Sequence, residues 1–116
     1  AYDETTIDEF FASIDVLLFP SLWKESFGLT VREALRRDVW CIVSDAGGSA
    51  EDCVDGVNST VIPMSTDSRH LKTALEDLLE KPVPLDYENP HKANIVTCDD
   101  QARELSGFLA ELAARQ

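Results

Sequence analysis

Short unbroken apolar runs alternate with stretches of helical periodicity along this chain. Val16-Leu17-Leu18-Phe19 follows Asp15 and is stopped by Pro20. A run without polar alternation suits a strand buried on both faces, as in a parallel sheet. Trp40-Cys41-Ile42-Val43 reads the same way, and so does Thr60-Val61-Ile62, which Pro63 ends. Between the first two runs a helix is expected from about Phe27 or Gly28 to Arg37. Val31, Ala34 and Leu35 form its apolar stripe. Arg36 and Arg37 fall in its last turn, where cations complement the helix dipole. Ser65 to Glu80 reads as a longer helix, with Leu71, Ala74, Leu75, Leu78 and Leu79 on one face. Ahead of the first strand, Thr6 followed by Glu9 has the form of a capping box and predicts a short helix from about Ile7 to Ser13. Ser44-Asp45-Ala46-Gly47-Gly48 reads as a loop. Ser49 with Asp52 caps a short helix to about Val54 in this reading, and Asp55-Gly56 turns the chain. Residues 82–97 carry Pro82, Pro84 and Pro90 and predict no element. Thr97 and Asp100 cap a last helix that carries Leu105, Phe108, Leu109, Leu112 and Ala113. The Leu71–Leu79 and Leu105–Leu112 stripes are read as core faces, or as surfaces for self-association if the sheet is incomplete.

The resulting order, αβαβαβαα, predicts an α/β fold with a parallel sheet in a three-layer αβα arrangement. Three strands fall short of the ~5–6 of a mean sheet. The chain therefore reads as half of a doubly wound, Rossmann-like sheet, either as a fragment or completed by a partner. In such a sheet the first strand stands beside a strand that this chain lacks. Val16 to Phe19 is then an open apolar edge, and a homodimer or exchanged assembly through that edge is expected.

Composition narrows the partners. With 116 residues and 44% hydrophobic positions, the chain is long enough for one modest core. Its net charge of −12 argues against nucleic acid and against an anionic membrane surface. No apolar run approaches the ~20 residues of a transmembrane helix, so no transmembrane segment is expected. The first residues show no signal-peptide pattern. The three cysteines, Cys41, Cys53 and Cys98, lack metal-ligand spacing and read as reduced thiols of a cytoplasmic protein. The triplet Asn58-Ser59-Thr60 matches a glycosylation acceptor but carries nothing in that compartment.

The chemistry concentrates in "KESFGLTVRE", directly after the first strand. In open α/β sheets, ligands bind beyond the carboxyl ends of the strands. A helix that opens at Phe27–Gly28 leaves amides without intrahelical partners and adds a partial positive charge. That combination seats a phosphate. Gly28 leaves no side chain in the way. Glu25 precedes the helix, where its carboxylate accepts hydrogen bonds from sugar hydroxyls. Glu33 stands on the second turn, within reach of a ribose. Each residue also has a plain reading. Glu25 alone is a solvated residue or a dipole partner, and Glu33 alone is a helix residue paired with Arg36 or Arg37. His70 and His91 read as solvated. Gly47-Gly48 is a turn or a neighbour of the ligand. Trp23 either covers the site or packs, and Trp40 belongs to the core.

From Asp15 to Pro63 the chain resembles the donor-binding half of GT-B glycosyltransferases of family 4, also called group 1, the group of glycogen and sucrose synthases. "DVLLFPS", "ESFGLTVREAL" and "CIVSDAGGSAEDCVDGVNSTVIP" carry the likeness. The resemblance implies transfer of a sugar from a nucleotide-diphosphate-sugar donor to an acceptor hydroxyl, with retention, no required metal and no further cofactor. It implies that Glu25, Ser26, Phe27 and Gly28 face the donor sugar. Gly28, Leu29 and Thr30 would hold the diphosphate, and Glu33 the ribose. No residue here is implied as catalytic acid or base. Residues 1–116 then form part of a C-terminal nucleotide-sugar-binding domain, whose partners are the nucleotide sugar and the remainder of the parent enzyme. Two departures stand out: Asp38-Val39-Trp40 replaces a common Gly-x-Pro, and Ser59 replaces a common glycine. The family's Arg and Lys diphosphate clamp and its acceptor-binding domain belong to preceding sequence, so the isolated chain is expected to be inactive. The alternative is a stand-alone nucleotide-sugar-binding or self-assembly module without catalysis.

Overall fold

Three short parallel strands organise the molecule. The computed structural model describes residues 3–24 and 26–115. Strands β1 (Val16–Phe19), β2 (Trp40–Ser44) and β3 (Ser59–Ile62) lie in the order β1-β2-β3. Val16 stands opposite Trp40, and Cys41 opposite Ser59. This register sorts the side chains by parity. Leu17, Phe19, Cys41, Val43 and Val61 share one face with Val31, Ala34 and Leu35 of helix α2 (Leu29–Leu35) and with Ile7 and Phe11 of helix α1 (Glu4–Ala12). Val16, Trp40, Ile42 and Ile62 share the other with Leu71, Ala74 and Leu78 of helix α3 (Arg69–Glu80). The sheet is therefore the middle of three layers, and both faces of β2 are covered. That is why the strand runs show no polar alternation. The fold is the α/β, Rossmann-like arrangement that the sequence predicts.

Several boundaries differ from the sequence reading, each for a local reason. Helix α1 is capped by Asp3, not Thr6: Asp3 Oδ1 accepts from the Thr6 amide at 2.8 Å and from Thr6 Oγ1 at 2.9 Å. These hydrogen bonds hold the Asp3 carboxyl below the usual range. A charged cap three residues upstream has won over a neutral hydroxyl. Helix α2 is shorter than expected, because Gly28 starts it at φ 68° and the chain turns at Asp38, φ 60°. Helix α3 starts at Arg69 rather than Ser65. Ser65 and Asp67 instead take the Asp67 and Arg69 amides at 3.0 Å each, building turns that compete with helix. Ser49 caps nothing; it is buried inside a short 3-10 helix, Gly48–Ala50. The Thr97–Asp100 capping box of helix α4 (Cys98–Ala114) forms as expected, with both hydrogen bonds at 3.0 Å.

The core does not reach α4. Leu105, Phe108, Leu109 and Leu112 are exposed, against the core role read from their spacing. The helix projects from the body, stretching the molecule to 60 × 30 × 29 Å with a radius of gyration of 16.8 Å, against ~13 Å for a compact chain of similar length. Leu79 of α3 is likewise exposed, so only part of that stripe is core. Strand β1 lies at a sheet edge, with Leu18 exposed. Beside it runs an open apolar groove of about 800 Å³, lined by Val16, Leu18, Leu75, Leu78 and Pro82 among others.

The proline-rich connector, without a predicted path, is held by two buried asparagines. Asn58 Nδ2 donates to Asp52 O at 3.1 Å and to Asn89 Oδ1 at 3.3 Å. Asn58 Oδ1 accepts from the Val54 amide at 2.8 Å. Asn89 Nδ2 donates to Leu35 O at 3.0 Å, and the Asn89 amide donates to Asp38 Oδ1 at 2.8 Å. One connector residue thus joins the end of α2 to the turn before β3. Asp38 also binds Lys92 Nζ at 3.0 Å. Asn89→Ala removes a buried donor and leaves Asn58 short of a partner. The expected loss is about 2–3 kcal/mol, read as a fall in Tm of roughly 10 °C or more. An unchanged Tm would show that the connector is held by other contacts.

Candidate functional site

The carboxyl ends of β1 and β2 are tied together before any ligand is considered. Pro20 ends β1, and the Ser21 amide closes back onto Phe19 O at 3.0 Å. Ser21 O accepts a hydrogen bond from Ser44 Oγ, the last residue of β2, at 2.6 Å. The Asp45 amide then donates to Ile62 O at the end of β3, at 2.8 Å. The loops after the first two strands therefore sit side by side on one rim.

Two glycines let these loops touch through their backbones. A Cβ on Gly28 would lie 2.4 Å from Ser49 Cα, and one on Gly48 would lie 2.4 Å from the carbonyl carbon and oxygen of Ser26. Gly28 also holds φ 68°, a left-handed conformation that side chains disfavour. From the sequence, Gly28 is expected to admit a ligand to the backbone. On its Cβ side, the group that approaches is Ser49 of the same chain. Because the helix begins at a glycine, α2 has no side-chain cap.

Arg32, which sequence reasoning missed, fastens the interlock. It is 8% exposed, and its guanidinium lies 3.9 Å from the Phe27 ring centroid. Nε donates to Phe27 O at 2.8 Å, Nη2 donates to Glu51 Oε2 at 2.6 Å, and Nη1 stands 2.8 Å from Asp52 Oδ2. A buried cation is tolerated when paired in this way. No spacing rule links position 32 to positions 51 and 52, so the local sequence holds no signal for the pairing.

The structure brings part of the expected set together. Leu29, Thr30 and Glu33 line an open cavity of about 440 Å³, completed by Ile7, Phe10 and Phe11. Ser26 and Phe27 lie on the neighbouring turn, with Ser26 packed against Gly48. Glu25 lies outside the described residues. Glu33 pairs with both arginines of its helix end: Oε2 accepts from Arg37 Nη1 and lies 3.7 Å from Arg36 Nη1. Arg37 also binds Asp8 of α1 at 2.7 Å. Burial works against the Arg37 charge, but its bonds to Glu33 and Asp8 outweigh this and hold its pKa above the ordinary value. Both contacts to Glu33 use Oε2. His70 is exposed and His91 half-buried, and neither lines this cavity.

The family profile described as "Glycosyl transferases group 1" matches residues 2–95. Comparison with curated proteins gives no match. Among solved structures, the chain is similar to sucrose-phosphate synthase from Thermosynechococcus elongatus, with a TM-score of 0.77 and 20% identity over 92% of this chain. The likeness spans 27% of that protein and, at this identity, shows the fold alone.

The interlock makes a paired prediction. Gly48→Ala forces the two loops apart and is expected to cost about 1–3 kcal/mol, seen as a lowered Tm. Gly107→Ala, in the exposed α4 with nothing within 4 Å of the added carbon, is expected to raise stability by about 0.5–1 kcal/mol. Equal Tm values for the two variants would contradict the close contact.

Proposed function

This chain belongs to the group 1 glycosyl transferases, and from that premise we propose that it is the donor-binding part of an enzyme transferring a sugar from a nucleotide-diphosphate donor to an acceptor hydroxyl. One observation carries the assignment of the site. The interlocked Gly28 and Gly48 loops present an uncapped helix start at the carboxyl end of a parallel sheet.

In this reading the diphosphate lies against the backbone of Gly28, Leu29 and Thr30. Ser26, Phe27 and Gly28, with Glu25, face the donor sugar. Glu33 accepts ribose hydroxyls through Oε1, since Oε2 is engaged by Arg36 and Arg37. The apolar wall of Ile7, Phe10 and Phe11 leaves room for the base beside that ribose. In the transfer, the acceptor oxygen bonds to the anomeric carbon, the carbon–oxygen bond to the diphosphate breaks, and the acceptor proton is released. In this reading the transfer is retaining, in a family 4, glycogen-synthase-like enzyme. The carboxylates here bind and orient; none is assigned as acid or base. No metal is invoked.

Charge balance argues that the chain alone does not turn over. The leaving diphosphate needs cationic stabilisation. Arg32 is committed to Glu51 and Asp52, Arg37 to Glu33 and Asp8, and exposed Lys24 is a single cation against a diphosphate. The cations are assigned to the remainder of the parent enzyme, which also covers the open β1 edge and the α4 face. No helix among the described residues is long and apolar enough to cross a membrane. Cys41, Cys53 and Cys98 are free thiols, in keeping with a cytoplasmic setting.

Two measurements test this. Nucleotide diphosphates at concentrations well above Kd are expected to raise the Tm of the chain. Glu33→Ala is expected to weaken that binding at least about 10-fold while the unliganded Tm stays close to that of the parent chain; binding that survives Glu33→Ala removes the ribose assignment. A sensitive assay of donor hydrolysis or transfer is expected to show no steady turnover by the purified chain, and turnover would refute the need for outside cations.

A further inference from the structure

Trp23 is the largest apolar side chain that the fold leaves in solvent beside the site. It is 81% exposed, and its neighbour Leu22 is 51% exposed. The sequence leaves two roles open for it, packing or covering the site. The structure removes the first, because an indole this exposed contributes little to the core. Indoles are usually largely buried, so a presented one calls for a ligand or a partner.

Its backbone is nonetheless held. Ser21 Oγ donates to Trp23 O at 3.0 Å and accepts from the Trp23 amide at 3.2 Å. Ser21 O in turn accepts from Ser44 Oγ at 2.6 Å. The turn bearing the indole is thus pinned to the ends of β1 and β2. Ser26, Phe27 and Gly28, assigned above to the donor sugar and diphosphate, follow a few positions later. Lys24 and Ser26 are exposed polar residues.

An aromatic face flanked by hydrogen-bonding groups has the chemistry of a sugar platform. The ring covers the C–H face of a pyranose, and the polar neighbours take its hydroxyls. Leu22 is exposed on one side of the indole, and on the other Lys24 and Ser26 supply the polar groups that a sugar needs. We propose that Trp23 stacks on the sugar ring of the nucleotide-diphosphate-sugar donor and contributes to selecting that sugar. The inference rests on the donor-site reading given above.

The test uses the 116-residue chain and three pairs of ligands: UDP-glucose with UDP, ADP-glucose with ADP, and GDP-mannose with GDP. Thermal shift reports binding, and tryptophan emission reports Trp23 when the Trp23→Phe variant, which keeps Trp40, is subtracted. At least one sugar nucleotide is expected to change the Trp23 emission, with the same half-saturation as its thermal shift, while its parent diphosphate binds without that change. Trp23→Ala is expected to weaken the sugar nucleotide about 3- to 10-fold and leave the diphosphate unaffected. If sugar nucleotide and diphosphate both bind but give the same emission, and Trp23→Ala alters neither, the stacking assignment is overturned while the donor site stands. If none of the six ligands raises the Tm, the donor-site reading fails and this inference falls with it.

Discussion

Backbone contact between the Gly28 turn and the Gly48 loop is the constraint on which the rest depends. Two main chains approach so closely that a methyl group on either glycine would overlap its neighbour. This contact fixes where α2 begins and leaves its first turn without a side-chain cap. It also sets the distance between the loops that follow β1 and β2. Parallel strands give such loops no mutual hydrogen bonds, since the ladder ends at the last paired residue. The contact must be held by other groups. Ser44 supplies one, bridging to Ser21, and Arg32 supplies the other from beneath.

Arg32 shows why a charge is placed inside a small fold. Its position on α2 puts the guanidinium under Phe27, so the same side chain touches the turn before the helix and the carboxylates after the 3-10 helix. An apolar residue of similar length would fill the space but make no directed bonds to either loop. The ion pair fixes register more than it adds stability, because removing both charges from water offsets much of their attraction. The connector asparagines do the same work at the opposite end of α2, where Asn89 bonds to Leu35 O and Asp38. Asp38 occupies a left-handed position, φ 60°, that glycine fills most easily. The Asp38 carboxylate makes bonds to Asn89 and Lys92 that a glycine does not make.

What the sequence revealed and what it hid divide by range. Val16–Phe19 was legible to the residue, because an unbroken apolar run between Asp15 and Pro20 has one economical reading. The Thr97–Asp100 cap was legible because both partners lie within one turn. The Glu33–Arg37 pair was legible as one of two alternatives for Glu33, again from helical spacing. The Asp3 cap was missed because two capping residues compete within three positions, and pattern alone does not rank them. Arg32 with Glu51, and Asn58 with Asn89, join positions that only the folded sheet brings together. The apolar stripe of α4 was read correctly as a stripe. Its partner was not legible, because periodicity says which residues share a face and not what covers it. In the site, Leu29, Thr30 and Glu33 do meet at one cavity. The glycines proved to serve loop-to-loop packing, a role that a ligand-centred reading overlooks.

The overall charge of −12 opposes an anionic ligand, yet the local balance differs. Arg32, Arg36 and Arg37 all belong to α2 or the turn just after it, and each faces carboxylates around the site: Glu51 and Asp52, Glu33, and Asp8 with Glu33. These three arginines offset most of the four carboxylates they face, so most of the surplus negative charge lies elsewhere. Charges beyond a screening length of ~8 Å act weakly at physiological salt. The helix start then governs the field that a ligand meets. In the proposed reading, the amides and modest dipole of this seven-residue helix orient a diphosphate without neutralising it. In that reading the same balance leaves the developing charge of the transfer unmet, which is why binding and turnover are assigned to different parts of the enzyme.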